Sequence, residues 1–281
     1  MNVSAQDADD APDAPAKALG VVTCSGSTCH GAAKPLSESK VMQNEFITWH
    51  REDRHARAYR SLLGEQGQKI AKNLGLESAA NAPECLSCHT NLVPAAQRGK
   101  RYNVADGVAC EACHGPASKW LGMHVTGEAS RADNLKVGMY PTEEPVARAK
   151  LCLSCHLGND SKFATHRIMG AGHPRIGFEL DTFTHIQPAH YRVDADYRSR
   201  KQVYGGMQVW AVGQVLADHR ESGDMAERER KQKARCIRHV AGQGSPGPIA
   251  VSLRAVCPSH GRTRGVHPPI RGTQILCGRH L

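Results

Sequence analysis

The sequence predicts a mainly α-helical fold with long irregular loops and little or no β-structure, compact around something other than its own side chains. Three observations lead there. Apolar periodicity, where it is visible, is helical. No alternating run of strand length occurs between Asn81 and Gly115. Only 40% of the 281 residues are hydrophobic and 5% aromatic, so large side chains are too scarce to fill a sizeable core.

The N-terminal stretch Met1 to Ala18 is rich in Ala, Pro and Asp and has neither a basic n-region nor an apolar h-region, so it does not read as a signal peptide. A disordered leader is expected over 1–19. From about Glu45 to Leu63, the residues Phe46, Trp49, Ala56 and Tyr59 follow a helical stripe that Gly64 stops. Phe46 and Tyr59 read as core packing. A second helix is expected from near Thr142 to Ser154, with Glu143 and Glu144 suiting the positive end of the helix dipole and Val146, Ala149 and Leu153 on one face. After a Gly170-Ala-Gly-His-Pro174 turn, Val209, Val212 and Leu216 place a last helix over about Val203 to Glu229.

The formal charge of +9 is unevenly spread. Residues 231–281 hold nine Lys and Arg and no Asp or Glu, which leaves 27 basic against 27 acidic residues in the body. A basic surface that would point to nucleic acid is therefore absent from the body, and nucleic acid is not an expected partner. The stretch 230–281 reads as a basic tail, either disordered or translated out of frame, because its composition changes abruptly and has no periodicity. No run approaches the ~20 apolar residues of a membrane-spanning helix.

Four cysteine clusters carry the chemistry. Cys85-Leu-Ser-Cys88-His89, Cys110-Glu-Ala-Cys113-His114 and Cys152-Leu-Ser-Cys155-His156 share the pattern Cys-x-x-Cys-His, and Cys24-Ser-Gly-Ser-Thr-Cys29-His30 is a widened version. Two thiols one helical turn apart can form thioethers with the two vinyl groups of a porphyrin, and the adjoining imidazole then meets the iron. The Ser-Gly-Ser-Thr content of the first cluster lets its extra residues loop out. Zinc ribbons would use the paired thiols without a His after each second Cys. Disulfide frameworks staple distant segments rather than repeat short pairs. Four covalently attached haem c groups would also supply the flat apolar surface that the aromatic content lacks, giving a tetrahaem domain over 20–229.

Second axial ligands must come from the remaining residues. The body offers His50, His55, His124, His166, His173, His185, His190 and His219, with Met123, Met139, Met169 and Met207 as thioether alternatives. Context singles out His55 beside Trp49, His124 ten residues after the third cluster, and His173 in its Gly-His-Pro turn.

Over roughly residues 20–180 these motifs resemble the multihaem cytochromes c of the cytochrome c-554 type. The resemblance rests on Cys24…His30, Trp49…His55-Ala-Arg-Ala, Cys85…His89, Gly107-Val-Ala-Cys110-Glu-Ala-Cys113-His114-Gly-Pro, His124 and Cys152-Leu-Ser-Cys155-His156-Leu. It implies two stacked haem pairs, mostly bis-histidine irons and one haem with an open position. By position it implies that His55 ligates the iron of the third motif and His124 that of the first. His173 is the expected ligand at the fourth motif, with His166 as runner-up. The widened first motif and the Gly-Ala-Gly-His-Pro turn depart from the family pattern.

Electron transfer is the function expected from this reading: a periplasmic or exported carrier serving a redox protein donor and acceptor, its signal peptide not present in this chain. One alternative is a haem reductase of a small nitrogen or sulfur species at a five-coordinate iron, with His166, Arg167 and Arg175 as proton donors. The other is a structural zinc protein.

Overall fold

A computed structural model describes residues 14–39 and 41–219. The residues of the expected leader before Ala14 and the whole 230–281 tail lie outside the described residues. Eleven short α-helices, α1 (Glu45–Glu52), α2 (Ala58–Leu63), α3 (Glu65–Leu74), α4 (Pro83–His89), α5 (Cys110–His114), α6 (Leu121–Thr126), α7 (Arg131–Lys136), α8 (Pro145–His156), α9 (His166–Gly170), α10 (Leu180–Ile186) and α11 (Ala195–Arg200), alternate with irregular loops and 3-10 turns. A longer helix, α12, covers 206–219. Among the described residues the only β pairing is an isolated bridge between Ala18 and Arg98. The mainly helical expectation holds.

The helix expected over Glu45 to Leu63 is broken in the middle. Asp53 takes an extended backbone (ψ 130°) and its carboxylate accepts the His55 backbone N–H at 2.9 Å, which caps a 3-10 turn at Arg54–Arg57 before α2 begins. The break reorients His55 away from the α1 axis. Gly64 then ends α2, as expected, and also opens α3, an element that composition did not announce. Gly67, Ile70, Ala71 and Leu74 are buried on α3 at helical spacing. Gly75 terminates it in the left-handed region (φ 71°), where its N–H reaches Lys72 and the Leu76 N–H returns to the Ala71 carbonyl at 2.9 Å.

The next expected helix starts three residues later than predicted. Pro145 occupies its first turn, where a missing N–H costs nothing, and Glu143 is left outside the helix to pair with Arg131. Pro145, Ala149 and Leu153 form its buried face. Helix α12 begins at 206 rather than 203, and its Val209, Val212 and Leu216 pack with Ala149, Leu153 and Leu180.

Side-chain packing is divided among three small clusters. Leu62, Ala71, Ala79 and Ala80 form one; Ile70, Leu74, Ile168 and Ala171 a second; Ala149, Leu153, Leu180 and Val209 the third. Tyr59 packs against the first of these, and the Phe46 ring lies 5.6 Å from that of His50. Alanine makes up half of the buried apolar residues.

The N-terminal boundary differs from expectation at its last residues. Ala18 is fully buried, and its N–H donates to the Gln97 carbonyl at 2.8 Å. Glu111, the residue after the first cysteine of the third motif, is 5% exposed and accepts three backbone N–H groups: Leu19 (2.8 Å), Gly20 (2.8 Å) and Ala117 (2.7 Å). A buried carboxylate with that many donors is strongly held, so the chain is pinned from residue 17 onward. Replacing Glu111 by Ala is expected to lower the unfolding free energy of the holoprotein by about 3–5 kcal/mol in denaturant titration, because three donors lose a charged acceptor. Glu111→Gln should cost less, and equal stability of Glu111→Ala and wild type would contradict the pinning.

Candidate functional site

Three of the four motifs sit on the final turn of a helix, with the histidine as its last residue: His89 on α4, His114 on α5 and His156 on α8. Helical geometry alone sets the two cysteines of each one turn apart. The first motif is not helical, yet reaches the same end. The His30 N–H donates to the Cys24 carbonyl at 3.1 Å, while Cys29 and Gly31 N–H groups both return to the Gly26 carbonyl at 2.9 Å. The bond from His back to the first Cys, which an α-turn would make over four residues, here spans six, and the two extra residues bulge outward. Gly31 is required for this closure, since a Cβ there would lie 1.9 Å from the Ser25 carbonyl oxygen.

Each motif histidine faces one other imidazole. Ring centroids are 6.1 Å apart for His30 and His124, 6.3 Å for His89 and His173, 6.2 Å for His114 and His190, and 6.3 Å for His156 and His55. A metal between two imidazoles at ~2.0–2.1 Å from each nitrogen, with the ring centre about 1.1 Å further on, sets the centroids about 6.3 Å apart. The four separations therefore match the span of a bis-histidine metal. The first pair is nearly parallel (12°), and the other three are crossed at 82–88°.

Two of the expected partnerships differ. His55 faces His156 of the fourth motif, not the third, because the extended Asp53 turns the 54–57 segment toward α8. His173 faces His89 of the second motif, not the fourth: α9 packs on α3, and the Gln66 amide donates to the Gly172 carbonyl at 3.3 Å, holding the turn beside α2 and α4. His190 completes the third pair and was not among the singled-out ligands. Its signal was the preceding Pro188, which fixes the local chain much as Pro174 does for His173. His124 faces His30 as expected. His166 is exposed at the start of α9 and makes no ring contact with a motif histidine among the described residues. Arg167 is occupied by the Leu74 carbonyl and Glu84. Met207 is 78% exposed, and Met139 touches Arg131 at 3.5 Å.

The back of most rings is anchored. Nδ1 of His30 lies 2.9 Å from Glu45, and Nδ1 of His55 lies 2.9 Å from the buried Asp53, whose other oxygen accepts the Gln187 amide at 3.0 Å. His89 Nδ1 faces the Ala58 carbonyl at 2.9 Å, and His173 Nδ1 the Pro174 carbonyl at 2.8 Å. An acceptor at Nδ1 selects the tautomer that leaves Nε2 free for a metal. His156 is backed instead by the Phe178 ring at 4.5 Å. The carboxylates raise the proton affinity of His30 and His55. Burial lowers that of His89, His124 and His156, and burial with His190 nearby brings His114 down to about 4. Neutral imidazoles are what a metal requires.

Thiols from different motifs meet. The Cys24 and Cys110 thiols lie close enough to perturb each other's ionisation, as do those of Cys88 and Cys155, and Cys113 lies within electrostatic reach of Cys152 and Cys155. The order in space is thus first, third, fourth, second. None of the eight motif cysteines is joined to another in a disulfide. Among the described residues no three His, Cys, Asp or Glu side chains converge on one point, so the donors come in facing pairs rather than in the quartet a structural zinc needs. One buried donor awaits a partner here: Trp120 is 6% exposed, its ring stands edge-on to His124 at 5.7 Å, and its indole N–H is unpaired among the described residues. Paired thiols, facing imidazoles and an orphaned donor beside them fit a porphyrin carrying iron.

Residues 23–115 match the family described as cytochrome c554 and c-prime. No curated protein and no solved structure matches the chain. No helix of the described residues is long and apolar enough to cross a membrane. The matched stretch contains the first three motifs, Glu45, Asp53 and His55. The likeness to this family of cytochromes covers about a third of the chain, residues 23–115 of 281.

Proposed function

We propose that the chain is a tetrahaem electron carrier, exported to the periplasm, in which each motif attaches one haem through its two cysteines and every iron is held between two histidines. The pairs are His30 with His124, His89 with His173, His114 with His190, and His156 with His55. The observation that carries this reading is the common 6.1–6.3 Å centroid separation of all four pairs. Bound haem supplies a one-electron iron couple. The protein supplies the rest. Cys24, Cys29, Cys85, Cys88, Cys110, Cys113, Cys152 and Cys155 anchor the four groups in the order first, third, fourth, second, so the outermost sites belong to the first and second motifs. Facing imidazoles occupy both axial positions, which favours a carrier over a reductase that needs an open iron.

Glu45 and Asp53 divide the four sites electrically. A carboxylate at Nδ1 makes the imidazole a stronger donor and stabilises the oxidised iron it holds; a backbone carbonyl does so less. The first and fourth sites are therefore lower in potential than they would be with a neutral partner.

Purified holoprotein should contain four haems per chain by pyridine haemochrome assay, and all eight motif cysteines should resist alkylation. Two or three haems with reactive thiols at one motif would refute the assignment of that motif. In electron paramagnetic resonance the parallel His30–His124 planes lift the near-degeneracy of the iron d orbitals that crossed planes preserve. One rhombic low-spin signal and three of much larger anisotropy are expected; a high-spin ferric signal in the intact protein would instead support the reductase reading. Asp53→Asn and Glu45→Gln should each raise the midpoint potential of one component in a spectroelectrochemical titration and leave the others in place.

A further inference from the structure

The third pair is surrounded by more positive charge than its neighbours balance. Arg131 on α7 and Lys201 just after α11 lie on the side of the His114–His190 pair, and Arg148 on α8, which also acts on Cys152, joins them around Tyr197. Arg131 and Lys201 both act on His114, and Arg131 and Arg148 both act on Tyr197, over which the Lys201 ammonium stands at 5.3 Å from the ring centre. Tyr197 in turn stacks on Tyr191 at 5.8 Å, the residue after His190. The loop between α7 and α8 is tied to the same place, since the Tyr140 N–H donates to the His114 carbonyl at 2.8 Å.

Among the described residues, Glu143 is the one carboxylate facing this group, and it forms a two-pronged pair with Arg131 through both of its oxygens. The neighbouring charges are spent elsewhere: Arg200 pairs with Asp196, and the exposed Glu144 accepts from the Tyr204 hydroxyl at 2.6 Å. Three cations against one carboxylate leave two positive charges over. Arg148 also has a specific deficit. One terminal nitrogen reaches the Thr142 carbonyl at 3.4 Å, but its buried Nε has no partner among the described residues. A buried guanidinium N–H without an acceptor is costly, and a planar carboxylate is the partner its geometry matches. The half-buried Lys201 is likewise pushed below the ordinary lysine range by burial and by Arg131, a cost an incoming anion would relieve.

We propose that Arg131, Arg148 and Lys201, with Glu143 holding Arg131 in place, form a dicarboxylate-binding site beside the His114–His190 pair that takes the two propionates of the haem held there. This rests on the tetrahaem reading. The two unmatched positive charges equal the charge of two ionised propionates. The three side chains would also disfavour an extra positive charge on an iron held by His114 and His190, and so raise the potential of the third site, opposite in sense to the action of Glu45 and Asp53 on the first and fourth.

The test uses the full-length holoprotein, with haem counted before each measurement. His190→Met first marks the third component, since thioether ligation raises its potential. Arg148→Gln combined with Lys201→Gln should then lower that same component, leaving the other three unchanged. The single Arg148→Lys variant keeps the charge and should hold the wild-type value; a fall as large as that of Arg148→Gln would mean the residue acts through packing, and the proposal fails. Four unchanged components in the double variant at full haem content would also overturn it. So would a shift of the third component on adding inorganic phosphate to the wild type that the double variant lacks, which would assign the site to a free anion. Fewer than four haems in the wild type would refute the tetrahaem reading itself and not this inference.

Discussion

Everything in this molecule is subordinate to holding pairs of imidazoles face to face at the span of one metal ion. That span tolerates little error, because a metal–nitrogen bond varies by only ~0.1–0.2 Å before it weakens. A chain of short helices and loops would not hold eight rings so closely by packing alone. The rings are instead fixed from behind, by Glu45, Asp53, the Ala58 carbonyl, the Pro174 carbonyl and the Phe178 ring. Each oxygen anchor does two things at once: it sets the ring's direction and chooses the nitrogen left for the metal.

The same demand explains the architecture around the site. Side-chain cores are small and alanine-rich among the described residues, which on the tetrahaem reading leaves the volume between them to the cofactor. The helices that carry motifs are short and end at the histidine, since their task is to present two thiols and one ring and then turn away. Glu111 shows how tightly the motif and the scaffold are joined: it stands between the two cysteines of the third motif, yet its carboxylate ties residues 19 and 20 to the loop at 117. Electrostatics then makes equivalent motifs unequal. Carboxylates stand behind the rings of the first and fourth pairs, and a cationic cluster flanks the third. A graded set of sites along a line is what a carrier of single electrons requires.

Local pattern was enough to reveal the motifs, the helical class and several helix positions. Cys-x-x-Cys-His is a covalent requirement confined to five neighbouring residues, and the apolar stripes of α8 and α12 are likewise local. The widened first motif was legible for the same reason: Ser, Gly and Thr between its cysteines can bulge, and the hydrogen bond from His30 to Cys24 shows them doing so. Less legible were the elements whose periodicity is short or whose boundary depends on a single polar contact. The break at Asp53 is one, since it arises from a carboxylate capping a turn that the stripe from Phe46 to Tyr59 runs straight through.

Sequence by itself determined the four paired-cysteine motifs, because that pattern is written in adjacent positions. It also singled out His124, His55 and His173, each of which faces a motif histidine. Tertiary structure alone decided which histidine faces which motif. His55 faces the fourth motif rather than the third, His173 the second rather than the fourth, and His190 enters at the third, because these pairings join residues about 80 to 100 positions apart through α2, α3, α9 and the Asp53–Gln187 contact. No local preference can encode such a distance; it is set by how the whole chain closes.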